Sequence, residues 1–200
     1  KQNNDIKNLH FFFVPVDKNI ERFNVYDLKP RKDLFYAMSH GVNRAVLKKG
    51  KSDERINFLN TLIKKLENVN YDFYGFENKE PIWGNNFYKA LINSKMGLNL
   101  SRGLPTKYYS SNRIASLMGN GLLTFIHKKT QLNDFFNNNE IITYDSIEDL
   151  AEKITFYKKH DKLRKNIASN GRKKYFKLFN ELRVTKYILD KSFGKDVHLN

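Results

Sequence analysis

At 200 residues, 40% hydrophobic and 14% aromatic, the chain is long enough to bury a sizeable core and too apolar to be disordered by composition. The absence of Cys excludes disulfides, thiolate nucleophiles and Cys-based zinc sites, and the absence of any run of about 18 apolar residues excludes a spanning helix. A net charge of +15 points to an anionic partner, although the abundance of Lys, Asn and Ile also fits AT-rich codon usage. The first residues carry no long apolar region of a signal peptide. They begin at Lys1 rather than Met, so a preceding segment is expected.

In chain order, "FFFVPV" (Phe11 to Val16) reads as an early strand, followed by "LFYAM" (Leu34 to Met38). "SDERINFLNTLIKKLE" reads as a helix with Ser52 as its N-cap. Its apolar stripe is Ile56, Leu59, Leu62, Ile63 and Leu66. Next come a strand "YDFYG" (Tyr71 to Gly75), a helix "NNFYKALINSK" and a strand "MGLNL" (Met96 to Leu100). The helix holding Ile114, Leu117 and Met118 is capped by Ser110 or Ser111 and stops at Gly119 and Gly121. Strands "LLTFI" (Leu122 to Ile126) and "EIITY" (Glu140 to Tyr144) follow. Then comes "SIEDLAEKITFYKKH", in which Ser146 and Asp149 form a capping pair. Two basic helices close the chain, Asp161 to about Phe179 and about Glu181 to Phe193. Lys153 to Lys177 alone holds ten Lys and Arg against one acid, Asp161.

Alternating strands and helices imply a three-layer α/β/α, Rossmann-like fold with a mostly parallel sheet. Ligands of such sheets bind beyond the carboxyl ends of the strands. The loops expected there carry Arg44, Arg102, Lys107, Arg113, Lys128 and Lys129, a cationic edge suited to a pyrophosphate. "SHGVNR" supplies Ser39, His40, Gly41, Asn43 and Arg44; its Gly lets backbone approach an anion, and Arg44 offers a bidentate contact. "KYYSSNR" supplies Lys107, Tyr108, Ser111 and Arg113. An Arg in the first turn opposes the helix dipole unless an anion compensates or a nearby acid pairs with it. Tyr74, Gly75 and Trp83 are candidates to hold a base, with core and rim packing as the alternative for these aromatics. His40 and His127 each follow a strand, where a lone His is more often a structural donor than a base. No P-loop, GxGxxG, HxH or HExxH phrase occurs, so neither a built-in metal nor a cofactor is expected. The basic helices suit either a solvated face or an acidic membrane surface. No RNA- or DNA-binding phrase occurs, so nucleic acid is the least favoured partner.

In order and spacing, "VPVD" (Val14 to Asp17), "SSNR", "GNGLLTFI", "NDFFNNNEIITYDSIEDLAEKITFYKK" and the "A-x-x-G-R" ending at Arg172 resemble the CgeB-like, group 1 family of GT-B glycosyltransferases. The likeness covers most of Asp33 to about Phe179. It implies the C-terminal, donor-binding half of a GT-B enzyme. Residues 1–32 would be linker, 33–179 the donor domain, and 180–200 a helix crossing back to an N-terminal half outside this chain. It further implies a nucleoside-diphosphate-sugar donor, a saccharide or lipid-linked acceptor in surface polysaccharide assembly, and a cytoplasmic location, peripheral to the inner membrane face. Many relatives carry a pair of Glu at and before the donor helix; here those positions hold Ser116 and Tyr108. No catalytic residue carries over, and a non-catalytic binding module is the alternative.

Overall fold

Short apolar runs become parallel strands because the helices between them cover both of their faces. The computed structural model describes residues 10–39 and 53–197. Its strands are β1 (Lys32–Ala37), β2 (Tyr71–Tyr74), β3 (Ser94–Asn99), β4 (Leu123–His127) and β5 (Ile142–Tyr144), all parallel, in the order β2-β1-β3-β4-β5. The helices are α1 (Glu54–Ile63), α2 (Gly84–Ile92), α3 (Asn112–Gly119), α4 (Ile147–Lys159), α5 (Asp161–Phe179) and α6 (Glu181–Ser192). Each predicted strand from Leu34 onward and each predicted helix appears, with ends shifted by a few residues.

Alternation along the strands divides the core. Leu34 and Tyr36 of β1 and Leu123 and Phe125 of β4 pack with Leu59 and Leu62 of α1 and Leu150 and Ile154 of α4. Phe35, between them in sequence, packs on the opposite face with Leu91 of α2 and Leu117 of α3. Burying each such side chain stabilises the fold by about 1.5–3 kcal/mol, more than the ~1 kcal/mol of a single helix cap. Packing therefore sets the layers and caps trim their edges. At α4 the predicted pair is present: Ser146 Oγ accepts from Asp149 N (3.1 Å), and Asp149 Oδ2 accepts from Asp145 N (3.1 Å). At α1 the expected cap, Ser52, lies outside the described residues; Asp53 is the N-cap, its Oδ1 accepting from Arg55 N at 3.1 Å.

The segment Phe11 to Val16 is not a strand of the sheet. Its one ladder contact is an isolated bridge between Val16 and Asn180. Pro15 has no N–H to donate, and the neighbouring polar groups are claimed by other elements. Val14 N donates to Ser110 Oγ (3.0 Å), Tyr175 Oη donates to Val14 O (2.9 Å) and Val16 N donates to Phe179 O (2.9 Å). Phe13 stacks on Phe179 with ring centroids 4.0 Å apart. This stretch therefore belongs to a third apolar cluster, with Ile114 and Met118 of α3 and Tyr175 of α5. Within α5, Gly171 faces the carbonyl of Glu140 so closely that an added Cβ would sit 2.1 Å from that oxygen. Close approach of the helix to the turn before β5 accounts for the Gly of the "A-x-x-G-R" phrase.

At the amino end of the sheet, Asp33 is 3% exposed and accepts from Asn70 N (3.0 Å), Lys95 Nζ (2.9 Å) and Lys158 Nζ (3.0 Å). Burial by itself would raise its carboxyl pKa; the Asn70 N–H and the two ammonium groups outweigh it and hold the pKa below the ordinary carboxylate value. A depressed folded pKa contributes stability above the ordinary range that is lost as pH falls through the folded value. Urea unfolding followed from neutral pH to below about pH 4 is expected to show that loss. Asp33→Asn should lower stability at pH 7 and flatten the acid limb. An unchanged acid limb would remove Asp33 from the account.

Candidate functional site

The chain leaves β1 toward β2 on one side, while β3 lies on the other. At such a reversal of strand order the carboxyl ends open a crevice. A groove of about 670 Å3 occupies it, bounded by the end of β1, the starts of α2 and α3, and the loop after β3.

Arg113 is fixed across this opening. Its Nε donates to Ala37 O (3.1 Å) at the end of β1, and its Nη1 donates to Leu100 O (2.8 Å) beyond β3. The Tyr36 ring lies beneath the guanidinium, 5.0 Å to its centroid. Neither arrangement foreseen for Arg113 describes its contacts fully: strand-end carbonyls hold it rather than an acid. Among the described residues Nη2 has no hydrogen-bond partner, so the side chain is oriented with donors to spare. An Arg clamped in this way presents its fork without further loss of rotamer freedom.

Both helices that open on the groove start without a side-chain cap. Trp83 holds the N-cap position of α2 and Ser111 that of α3, and neither side chain caps. Ser111 Oγ instead contacts Asn99 Oδ1 at 3.4 Å, and Ser110, the other expected cap, accepts from Val14 N. Two sets of first-turn N–H groups therefore face one groove, and helix N-termini favour negative charge. Trp83 is 65% exposed at the same groove, a large ring with its face uncovered. Gly84, with φ of +55°, turns the chain directly from that ring into α2.

Of the residues singled out from sequence, Ser39, Trp83, Arg102, Ser111 and Arg113 line the groove together. Lys107 and Tyr108 do not. Tyr108 adopts φ of +57°, donates its hydroxyl to Asp134 Oδ2 (2.6 Å) and packs on Phe11 and Phe135, while Lys107 Nζ lies over its ring at 4.7 Å. Tyr74 and Gly75 sit at the end of β2, beside the groove but outside its lining. The Tyr74 hydroxyl donates to Asp72 (2.9 Å), and its pKa is pushed up to about 12 by burial and then by that carboxylate. Gly75, at φ of +72°, opens a tight turn closed by its N–H on Lys79 O. His40, Gly41, Asn43 and Arg44 lie outside the described residues.

Sequence reasoning missed Arg55. It is 5% exposed, bonded through Nε and Nη2 to Asp53 (2.9 and 2.6 Å), and it lines the groove floor. Burial opposes its charge, yet the Asp53 carboxylate and the Tyr36 hydroxyl keep its pKa above the ordinary guanidinium value. A signal was present: Arg55 falls on the buried stripe of α1 with Leu59 and Leu62, where a cation needs a partner. Tyr88 and Ser116 also line the groove, with Ser116 beside the Tyr88 hydroxyl. Neither Ser116 nor Tyr108 offers a carboxylate, and no Asp or Glu lines this groove among the described residues. Among the same residues, no three His, Asp or Glu side chains gather as a metal site, and no helix is long and apolar enough to cross a membrane.

No curated protein matches the chain by sequence. Among solved structures, TarM superposes with a TM-score of 0.58 at 16% identity, over 92% of this chain and 37% of its own. A sucrose-phosphate synthase from Thermosynechococcus elongatus gives 0.56 at 12% identity, over 91% and 50%. Anabaena Alr3699/HepE in complex with UDP gives 0.54 at 13%, over 91% and 47%. The chain thus spans half or less of each of these proteins, and shares with them the Rossmann-like layering of GT-B glycosyltransferases. The model of one sequence family, described as glycosyl transferase-like, matches residues 52–190. The chain belongs to that glycosyl transferase-like family.

Proposed function

We propose that the chain is the donor-binding, C-terminal part of a GT-B glycosyltransferase and that the groove holds a nucleoside diphosphate sugar. The carrying observation is the convergence, at one switch point, of clamped Arg113, two uncapped helix starts and exposed Trp83. The diphosphate would take the Arg113 fork and the helix N–H groups, which also stabilise the charge that grows on the leaving nucleoside diphosphate. Trp83 would stack on the base. That Anabaena Alr3699/HepE was solved in complex with UDP supports a uridine nucleotide as the first to try. With no carboxylate among the described residues that line the groove, a catalytic base would have to come from elsewhere, and a non-catalytic nucleotide-sugar module stands as the second reading for the same reason.

Leu182, Leu189 and Phe193 of the α6 region are 75%, 52% and 79% exposed and recur along one stripe. They would pack on an N-terminal half that supplies the acceptor site. The transfer would serve surface polysaccharide assembly, toward a saccharide or lipid-linked acceptor at the cytoplasmic face, with the Lys-rich side of α5 toward acidic lipid.

Calorimetry of the chain with UDP, GDP, ADP and CDP is expected to give one nucleotide that binds clearly more tightly than the rest, with a matching rise in melting temperature. No heat and no thermal shift with any of the four would reject the donor-site reading.

A further inference from the structure

Asn99 ends β3 on the face that α3 covers. Gly97, two residues earlier on that face, lets α3 lie so close that an added Cβ would sit 2.4 Å from Leu117 Cδ2. Ile126, opposite Asn99 in β4, belongs to the apolar cluster of Ile114 and Ala115 of α3. β3 therefore delivers Asn99 to the start of α3, where it is 2% exposed. An apolar side chain would suit this interior position, whereas an amide is costly there unless both of its ends are bonded.

Only one end is bonded. Asn99 Oδ1 accepts from Ser111 Oγ at 3.4 Å, while among the described residues Nδ2 has no hydrogen-bond partner. An unpaired buried donor lowers stability, and such groups are rare. The hydroxyl it serves belongs to the N-cap residue of α3, and the contact turns that hydroxyl toward β3 rather than over the first turn of the helix. A Ser at this position ordinarily accepts from the N–H of the second or third helical residue. Here the Asn112 and Arg113 N–H groups have no acceptor among the described residues, and both residues line the groove that receives the Arg113 fork.

We infer that Asn99 is a positioning residue of the groove: by holding the Ser111 hydroxyl off the start of α3, it keeps the Asn112 and Arg113 N–H groups open to the diphosphate. The inference rests on the nucleotide-sugar reading of the groove. A side-chain cap and a bound anion compete for the same helix donors, so a helix that is to hold phosphate must forgo its cap. The amide at a buried position, the unpaired Nδ2 and the missing cap then have one cause. Local rules of stability are broken together where a ligand is to be held.

The test is calorimetry with UDP, together with thermal melting, on the chain, Asn99→Leu, Ser111→Ala and the double variant. Leu has the branched shape of Asn without its donor, and it frees Ser111 to cap α3. Asn99→Leu should therefore melt about 2–4 °C higher, yet bind UDP about tenfold more weakly, the loss of one charge-assisted hydrogen bond. A side chain that merely supported the fold would move both readouts down together. Adding Ser111→Ala removes the competing hydroxyl, so the double variant should bind UDP as tightly as Ser111→Ala alone. If Asn99→Leu does not fold, Asn99→Ala takes its place, and its loss of UDP affinity should likewise vanish when Ser111→Ala is added. Unchanged UDP affinity in the folded Asn99 variant, or a loss that Ser111→Ala does not relieve, overturns this inference and leaves the groove reading intact. A parent chain that binds no UDP overturns the uridine-nucleotide reading and this inference with it.

Discussion

Gly171→Ala is expected to destabilise the chain by about 2 kcal/mol net. The new methyl would lie 2.1 Å from Glu140 O and 3.3 Å from Met118 Cε. A flexible side chain can turn aside, but a backbone carbonyl in the turn before β5 cannot, so α5 must move off the sheet. Against this, Ala gains about 1 kcal/mol over Gly in a helix interior. Over-packing costs of about 1–3 kcal/mol, at the upper end or beyond when backbone must shift, outweigh it. The measurement is the urea midpoint at constant m-value. Asn170→Ala, at the exposed neighbouring position, is the control for helix propensity and should not destabilise. A Gly171→Ala protein as stable as the parent would mean that α5 does not approach Glu140 as described.

Arg113→Ala is expected to weaken nucleoside diphosphate binding by about 30- to 100-fold, the range of a charge-assisted bidentate contact. The same substitution strips the carbonyls of Ala37 and Leu100 of their donor, at a cost of about 1 kcal/mol each. Binding must therefore be compared on protein shown by urea titration to be folded. Arg113→Lys separates the two roles. A lysine ammonium supplies the charge but lacks the planar fork that spans both strand ends, so it should recover little of the affinity. Full recovery by lysine would show that charge alone mattered. Unchanged affinity in folded Arg113→Ala would move the diphosphate elsewhere.

Much of this architecture was legible because apolar periodicity and packing agree. Leu34, Phe35 and Tyr36 read as a strand buried on both faces, and they are one. "FFFVPV" has the same composition but fails as a strand, because Pro15 and the competition of Ser110, Tyr175 and Phe179 for its backbone groups are tertiary facts. The site was legible where it depends on topology: loops after β1 and β3 had to meet, and they bring Ser39, Arg102, Ser111 and Arg113 together. It was not legible where a residue's neighbour decides its direction. Tyr108 turns to Asp134 and carries Lys107 with it, away from the groove. Arg55 escaped notice because a cation on an apolar stripe looks like a break in the pattern until its carboxylate is found at Asp53.

The bond from Val16 N to Phe179 O has a counterpart in Glu181 N donating to Val16 O at 3.1 Å. The incoming segment and the outgoing α6 are thus pinned to a single residue, within one helical turn of each other. A pull along either would reach the same residue, beside the stacked rings of Phe13 and Phe179.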